Sequence, residues 1–383
     1  MSVTLAGRLI LPDRIVGGSL QIADGRIAAI HPGPLTGPYL APGYIDLHVH
    51  GGAGADFMDG TPEAFLTVCR AHARHGTTAL LATSTVGTQE QILRFLETCR
   101  ALLYHPTGGA RVCGAHLYGP YFAEQARGCH PAAPVRPPLE TEYEQYLTYA
   151  DVIRTASVAP ELPGAEAFAR ACVARGIRLH LGHSHATWPQ VEAAIGWGAR
   201  HVDHLFCAMS DRARLRQTQS YPMRGGLLEA TLFFDELTTE VIADGKHLAP
   251  ELLRLAYKIK GPDRLALVSD ANRALDLPDG EYVFGPREGG QWIVRRDGVG
   301  LMPDGAALAS GVMGLDHAVR TMRQASDAPL PELIRMASLT PARLAGLQAE
   351  RGSLEVGKRA DILVLDEQLQ LREVWLAGER LLA

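Results

Sequence analysis

Four histidines and one aspartate of this 383-residue sequence have the types and spacing of metal ligands. His48 and His50 are separated by one residue, so on a β-strand both imidazoles point to the same side. His183, His204 and Asp270 each follow a short apolar segment further along the chain. Imidazole nitrogens and a carboxylate oxygen together suit zinc or a similar divalent ion. One such residue alone would mean little, but the ordered set predicts a metal centre.

The segments that carry these residues have the pattern of β-strands that alternate with helices. The first helix is well marked, with Thr61 as its N-cap, Pro62 in its first turn and Gly76 at its end. Residues 211–226 and 279–301 interrupt the alternation and are predicted to be insertions in loops. Eight β/α units predict a TIM (β/α)8 barrel, an α/β fold whose active site lies at the C-terminal ends of the strands. The predicted strands are YIDLHVH, TTALLAT, RVCGAHL, DVIRTASVA, IRLHLGH, HVDHLF, TEVIADG and RLALVSD.

Both ends of the chain have the alternating pattern of strands. A hairpin turn is expected at Asp24-Gly25, and another at Ala377-Gly378. We therefore predict a small β domain built from residues 1–42 and 351–383, with the barrel over residues 43–350.

Composition excludes several classes of partner. Hydrophobic residues make up 46% of the chain and charged residues 21%, with a net charge of -5. Without a basic run, nucleic acid and anionic membranes are not expected as partners, so a small-molecule substrate is predicted. The start of the chain lacks the pattern of a secretion signal. Six scattered cysteines without a CxxC pair favour reduced thiols in a cytoplasmic protein.

A set of motifs runs through almost the whole chain: APGYIDLHVHG, HLYGPYF with RGCHP, LGHSHAT, HLFCAMS, ADGKHL, LVSDA, LASGVMGLDHAVR and SLTPARLAGL with GSLEVGKRADILVLD. These motifs resemble those of the amidohydrolase superfamily. Within it the chain is similar to the N-acetylglucosamine-6-phosphate deacetylases. The resemblance implies a barrel with a β-sandwich from both chain ends, often a homodimer, and metal-dependent hydrolysis of the amide bond of an N-acetyl amino sugar.

The sequence departs from that family within the site itself. Tyr118 stands where the family has a metal-binding glutamate, and Cys207 and His185 stand where it has asparagines. The segment from His204 to Arg224 is longer than the family's spacing to its phosphate-binding arginine. The resemblance implies substrate contacts from His130, His247, Cys207, Ala208 and Arg224.

The missing glutamate leaves two arrangements of the metal open. The favoured one is a single divalent ion, predicted to be zinc, with His204 beside its water; its four ligands would be His48, His50, His183 and Asp270. In the other, a group on the loop after Tyr118 replaces the glutamate. Glu124, Cys129 and His130 lie there, and a thiolate is a good zinc ligand. A buried structural cysteine is nevertheless the commoner case.

Tyr118 itself has two interpretations that the sequence leaves open. Its hydroxyl could donate to the oxyanion formed when water attacks a carbonyl. Its ring could equally fill the space of an abandoned metal position. Asp270 is predicted to be the general base that later protonates the leaving amine, and His204 is a further candidate for polarising the carbonyl.

Two other functions compete with deacetylation. A deaminase or cyclic-amide hydrolase would use the same one-metal ligand set. A non-catalytic binding protein could keep the fold, although retention of four histidines and Asp270 argues against it.

Overall fold

The computed structural model describes residues 2–218 and 222–382. In chain order, its strands are β1 (Val3–Ile10), β2 (Ile15–Ala23), β3 (Arg26–Pro32), β4 (Tyr39–Pro42), β5 (Tyr44–Val49), β6 (Gly51–Gly52), β7 (Ala55–Asp56), β8 (Thr77–Thr83), β9 (Arg111–Leu117), β10 (Ile153–Val158), β11 (Arg178–Leu181), β12 (Ala199–Val202), β13 (Thr238–Ile242), β14 (Leu265–Val268), β15 (Gly280–Phe284), β16 (Gln291–Arg296), β17 (Val299–Leu301), β18 (Ile362–Leu365), β19 (Leu371–Leu376) and β20 (Glu379–Leu382).

The α-helices are α1 (Pro62–Ala73), α2 (Gln89–Leu102), α3 (Glu140–Leu147), α4 (Ala165–Ala174), α5 (Trp188–Trp197), α6 (Arg212–Leu215), α7 (Leu227–Phe233), α8 (Pro250–Lys260), α9 (Leu315–Ala325), α10 (Leu330–Ala337) and α11 (Leu339–Leu344). Short 3₁₀ turns cover Phe57–Asp59 and Glu124–Ala126. Across the described residues, each helix is too short or too polar to traverse a lipid bilayer.

A sheet of eight parallel strands forms the barrel. Its order is β5-β8-β9-β10-β11-β12-β13-β14, so neighbours in the chain are neighbours in the sheet. Each strand overlaps one of the segments predicted from the sequence, with the smallest overlap at β12, and the order confirms the TIM-barrel fold. The strands are buried along most of their length because helices cover the outer face of a parallel barrel. Backbone hydrogen bonds close the barrel between its first and last strands, β5 and β14. The Asp270 N–H, just after β14, donates to the His48 carbonyl oxygen of β5 at 2.9 Å.

Local sequence signals set the helix ends. The Thr61 hydroxyl accepts a hydrogen bond from the Ala64 N–H at 3.2 Å, which caps the start of α1. Gly76 adopts φ +81°, a conformation that glycine tolerates and that turns the chain into β8. Phe65 and Val68 of α1 are fully buried against the barrel. The helix caps and the buried faces of the helices hold the strand ends in place, and with them the site.

Strands from both chain ends form one seven-stranded sheet, in the order β20-β19-β18-β4-β1-β2-β3. The predicted turns are observed, with positive φ at Asp24 and Gly25 and at Ala377 and Gly378. A buried ion pair between Arg351 and Asp361 lies beside this sheet. The strands fall within residues 1–42 and 351–383, and the exact domain limits stay a prediction.

The two predicted insertions have different structures. Strands β15, β16 and β17 form a separate antiparallel sheet within residues 279–301. The ring of Phe284 from this sheet contacts the ring of His50, with centroids 5.2 Å apart. The insertion at 211–226 begins with α6, and its residues 219–221 lie outside the described part of the chain. Both insertions therefore contribute to the surroundings of the barrel mouth.

Candidate active site

The candidate ligands occupy strained backbone positions at the ends of barrel strands. His183, His204 and Asp270 each lie two residues beyond a strand, after β11, β12 and β14. Their φ values are +46°, +22° and +45°. Residues other than glycine persist in such conformations only when the surrounding structure imposes them, at a cost of about 1–3 kcal/mol each. The backbone thus turns sharply where each of these side chains leaves its strand.

Three of the predicted ligands converge on one point. His50 Nε2 lies 3.1 Å from Asp270 Oδ1, and His48 Nε2 lies 3.7 Å from the same oxygen. One ligand atom from each residue lies within 4.8 Å of the others. Among the described residues, His48 Nε2 is buried without a hydrogen-bond partner. Two imidazole nitrogens and one carboxylate oxygen, with one of the nitrogens free of any hydrogen bond, fit a divalent cation.

The charge on Asp270 is favoured by its neighbours. Burial alone would raise the pKa of its carboxyl group, but His48 and His50 outweigh burial, and the pKa is lowered. Ser310 Oγ lies 3.3 Å from Asp270 Oδ1 and donates to its backbone oxygen. Asp270 is therefore an oriented carboxylate, able to accept a proton or to bind a cation.

The Tyr118 hydroxyl lies between the other two predicted ligands. It contacts His183 Nε2, and it lies 2.6 Å from His204 Nε2. His183 Nδ1 donates to the Ala126 carbonyl oxygen at 2.7 Å, so its Nε2 must accept the Tyr118 proton. Tyr118 then accepts from the Nε2–H of His204. The phenol joins two imidazoles and occupies the Nε2 atoms of both His183 and His204.

Burial keeps this second group neutral. The pKa of Tyr118 is raised well above its usual value by burial and by Asp270. Burial and the neighbouring His204 lower the pKa of His183 to about 3, and burial also lowers that of His204. At neutral pH the three groups are therefore a phenol and two uncharged imidazoles. Such a set can be held together by hydrogen bonds alone, without an ion.

A cavity of about 640 Å³ opens above these groups. This volume falls in the usual range for small-molecule sites. Of the predicted substrate contacts, His130, His247, Cys207 and Ala208 line it. Its other walls include Glu124, Arg127, Cys129, Arg214, Phe284 and Ser310.

One predicted substrate contact lies elsewhere. Arg224 is exposed, and the arginine of the 211–226 insertion that lines the cavity is Arg214. Its Nη1 donates to His185 Nε2 at 3.0 Å, and Asp211 caps the backbone N–H of Arg214 at 2.8 Å. Sequence reasoning missed Arg214 because a spacing argument cannot follow the path of an inserted segment.

His247 and Cys129 have contrasting surroundings. Asp244 accepts from His247 Nδ1 at 2.8 Å; burial lowers the pKa of His247, but this carboxylate outweighs burial and raises it. Cys129 packs with Phe284 and other apolar side chains, and burial and Asp270 raise the pKa of its thiol. A protonated thiol in an apolar cluster is a poor substitute for a missing metal-binding carboxylate.

Sequence reasoning also missed a carboxylate beneath the ligands. Glu240 lies in the middle of β13 and is fully buried, with His48 Nδ1 2.6 Å from its Oε1. Burial would raise the pKa of Glu240, but His48 and His201 outweigh it and lower the pKa strongly. The available signal was a charged residue inside the otherwise apolar strand pattern TEVIADG.

Comparison with known proteins places this geometry in a family context. A model of the amidohydrolase family matches residues 39–381. N-acetylgalactosamine-6-phosphate deacetylase of Escherichia coli O157:H7 is 34% identical over 366 residues, covering 94% of this chain and 93% of the relative. N-acetylglucosamine-6-phosphate deacetylase of Vibrio furnissii is 34% identical over 351 residues, covering 91% of this chain and 84% of the relative.

A solved structure from the same group of deacetylases has the same fold as this chain. A mutant of N-acetyl-D-glucosamine-6-phosphate deacetylase from Mycobacterium smegmatis, in complex with N-acetyl-D-glucosamine-6-phosphate, superposes with a TM-score of 0.91. The two sequences are 29% identical, and the match covers 100% of both chains.

The contacts of Tyr118 generate a stability prediction. Tyr118→Phe removes one hydroxyl and leaves two buried imidazole nitrogens without a partner. We expect the free energy of unfolding of the metal-free protein to fall by about 1–3 kcal/mol, measured by denaturant titration. Tyr44→Phe is the matched control, because the Tyr44 hydroxyl is also buried but has no partner among the described residues. Equal effects of the two substitutions would show that the Tyr118 hydrogen bonds contribute nothing.

Proposed function

This chain belongs to the amidohydrolase family, and on that premise we propose that it removes the acetyl group from an N-acetylated amino sugar 6-phosphate. The observation that carries the proposal is the cluster of His48, His50 and Asp270. His50 and Asp270 line the cavity, and His50 Nε2 lies 3.1 Å from Asp270 Oδ1. The relatives with 34% identity act, by their names, on the 6-phosphates of N-acetylglucosamine and N-acetylgalactosamine.

A single divalent ion is proposed at His48, His50 and Asp270, with zinc as the expected metal. His183 belonged to the ligand set predicted from the sequence, and its bond to Tyr118 favours a smaller set. When bound, such an ion lowers the pKa of water and polarises a carbonyl group. We propose that the Tyr118 ring fills the wall of the site and that its hydroxyl joins His183 to His204. The hydroxyl is not assigned to the substrate, because its proton is already donated to His183.

Asp270 is proposed to carry the proton. Its carboxylate accepts a proton from the water that attacks the acetyl carbonyl carbon. It then delivers that proton to the amine nitrogen as the carbon–nitrogen bond breaks. The products are acetate and the free amino sugar. Ser310 lies beside this carboxylate, with its Oγ 3.3 Å from Asp270 Oδ1.

Arg214 is proposed to bind the phosphate of the substrate. It lies at the cavity wall and donates to His185 Nε2 at 3.0 Å. Burial and the adjacent guanidinium lower the pKa of His185, so its ring accepts that hydrogen bond as a neutral base. The remaining N–H groups of Arg214 suit a phosphate oxygen. His130 and His247 are proposed to contact the sugar or its acyl group.

The metal-loaded protein should therefore be assayed against both N-acetylhexosamine 6-phosphates and their unphosphorylated forms. Release of acetate is the expected result. Release of ammonia would favour the deaminase alternative instead. No product from any of these sugars would favour the alternative that the chain is a non-catalytic binding protein.

A homodimer and a cytoplasmic location are further proposals. Sedimentation tests the first, and cell fractionation tests the second.

The metal proposal predicts one ion per chain. Elemental analysis of dialysed protein should find about one zinc-type ion bound per chain, because we propose a single site, at His48, His50 and Asp270. Tyr118→Glu should bind a second ion, since a carboxylate would then lie between His183 and His204. Tyr118→Gln is the control of equal shape without charge. Two ions in the unaltered chain would contradict the one-metal site.

The role of Asp270 predicts a large loss of rate. Asp270→Asn keeps the shape of the side chain and removes the proton acceptor. Turnover at saturating metal should fall by about a hundredfold to ten-thousandfold, with circular dichroism unchanged. Asp276→Asn is the control, because Asp276 pairs with Arg74 and His75. Near-normal turnover of Asp270→Asn would exclude it as the proton carrier.

The phosphate contact predicts a substrate-dependent effect. Arg214→Gln should lower kcat/KM for a 6-phosphate substrate by about tenfold, the size of one charged hydrogen bond near solvent. The same change should leave the unphosphorylated sugar little affected. Arg224→Gln is the matched control from the same insertion and should change neither value. The opposite pattern would assign the phosphate to Arg224, as the family resemblance implied.

A further inference from the structure

Glu240 connects the candidate ligands from below. Its Oε1 accepts from His48 Nδ1 at 2.6 Å and faces the backbone N–H of His204 at 3.5 Å. His48 and His204 lie at the ends of barrel strands β5 and β12. The fold of the barrel brings these two strand ends together. The side chains of Glu240 and His48 are fully buried, so bulk water does not compete for this hydrogen bond.

This contact fixes which nitrogen of His48 is free. A carboxylate can only accept, so His48 Nδ1 carries a proton, and Nε2 is the ring nitrogen left to bind a cation. That Nε2 is the buried atom without a partner, and it lies 3.7 Å from Asp270 Oδ1. The ring is therefore held in the tautomer and orientation that a cation in the cluster requires.

The other end of Glu240 is itself anchored. His201 Nε2 lies 3.3 Å from Glu240 Oε2. His201 Nδ1 lies 2.8 Å from Thr238 Oγ1, and the Thr238 hydroxyl donates to Arg200 O at 2.9 Å. Because the hydroxyl proton is used there, Thr238 accepts from His201 Nδ1, and both ring nitrogens of His201 must carry protons for Nε2 to donate to Glu240. The chain of contacts from backbone to His48 leaves the carboxylate little freedom to rotate.

From this geometry we infer that Glu240 is a positioning residue that raises the affinity of the site for its metal by orienting His48, with His201 and Thr238 holding Glu240 in turn. The inference rests on the metal site in the proposed function. Partners that orient a metal-bound histidine typically change metal affinity by about tenfold to a hundredfold.

The test compares two buried carboxylates of the same barrel interior. Glu240→Gln keeps the shape of the side chain but replaces the charged acceptor. Asp203→Asn is the matched control, because Asp203 is equally buried and hydrogen-bonds to Ser157 and His180 rather than to a candidate ligand. The dissociation constant for Zn²⁺ is measured by competition with a chromogenic chelator, and the melting temperature is measured on the metal-free proteins.

We expect Glu240→Gln to weaken Zn²⁺ binding by about tenfold to a hundredfold, and Asp203→Asn, whose carboxylate lies near His48 without a hydrogen bond to it, to weaken binding less. At saturating Zn²⁺ the turnover of Glu240→Gln should return to within a few-fold of the unaltered enzyme. An unchanged dissociation constant with a lower melting temperature would overturn the inference, because Glu240 would then serve only stability. Equal weakening in both variants would overturn it as well.

A second variant covers the case in which Glu240→Gln does not fold. Thr238→Val keeps shape and removes the acceptor that holds His201. It should weaken Zn²⁺ binding in the same direction by a smaller factor, and an unchanged constant would refute the inference. If the unaltered chain binds no Zn²⁺, the proposed metal site itself fails. If the unaltered chain and Glu240→Gln bind Zn²⁺ equally tightly, the metal site stands and only the role of Glu240 is refuted.

Discussion

Closure of the barrel between β5 and β14 is the constraint on which the candidate active site depends. The Asp270 N–H donates to the His48 carbonyl, and the N–H of His50 donates to the Ala271 carbonyl, each at 2.9 Å. The same few residues therefore join the ends of the sheet and carry the ligand side chains. Any change in how the barrel closes would alter the distances among His48, His50 and Asp270. The fold and the chemistry share one set of hydrogen bonds.

The interior below this seam is unusually polar for a barrel, where branched apolar side chains normally fill the layers. His116 lies 2.8 Å from Ser157, which donates to Asp203 at 2.6 Å, and His180 also donates to Asp203. Buried charges are tolerated when they are paired and hydrogen-bonded. Glu240 contacts His48 and His201, and both oxygens of Asp203 accept hydrogen bonds. The polar interior thus gives the ligands a rigid base instead of a deformable apolar one.

The sequence was sufficient for the fold because the barrel strands are short, apolar and regularly separated by capped helices. It also identified His48, His50 and Asp270, since alternation along a strand and position at a strand end decide where those side chains point. It could not decide the partners of Tyr118, which depend on positive φ angles at His183 and His204. These conformations are imposed by tertiary packing and leave no local pattern.

Arg214 and Glu240 escaped sequence reasoning for two different reasons. Arg214 lies on an insertion, whose path over the barrel mouth is set by contacts with His185 and Asp211 rather than by spacing. Glu240 lies on a strand, where its inward direction could be predicted but its contact with His48 could not. Strands β5 and β13 are far apart in the sequence and separated by β14 in the barrel.

The sheet that joins both chain ends has a consequence for how the molecule is assembled. Strand β4 pairs with β1 on one side and with β18 on the other, and Leu40 lies opposite Val364. A ribosome synthesises β1 to β4 long before β18 exists, so one edge of that early sheet stays unpaired while the whole barrel is made. Exposed strand edges are templates for association between chains. The nascent chain therefore passes through a long interval in which its first strands can pair with those of a neighbouring chain.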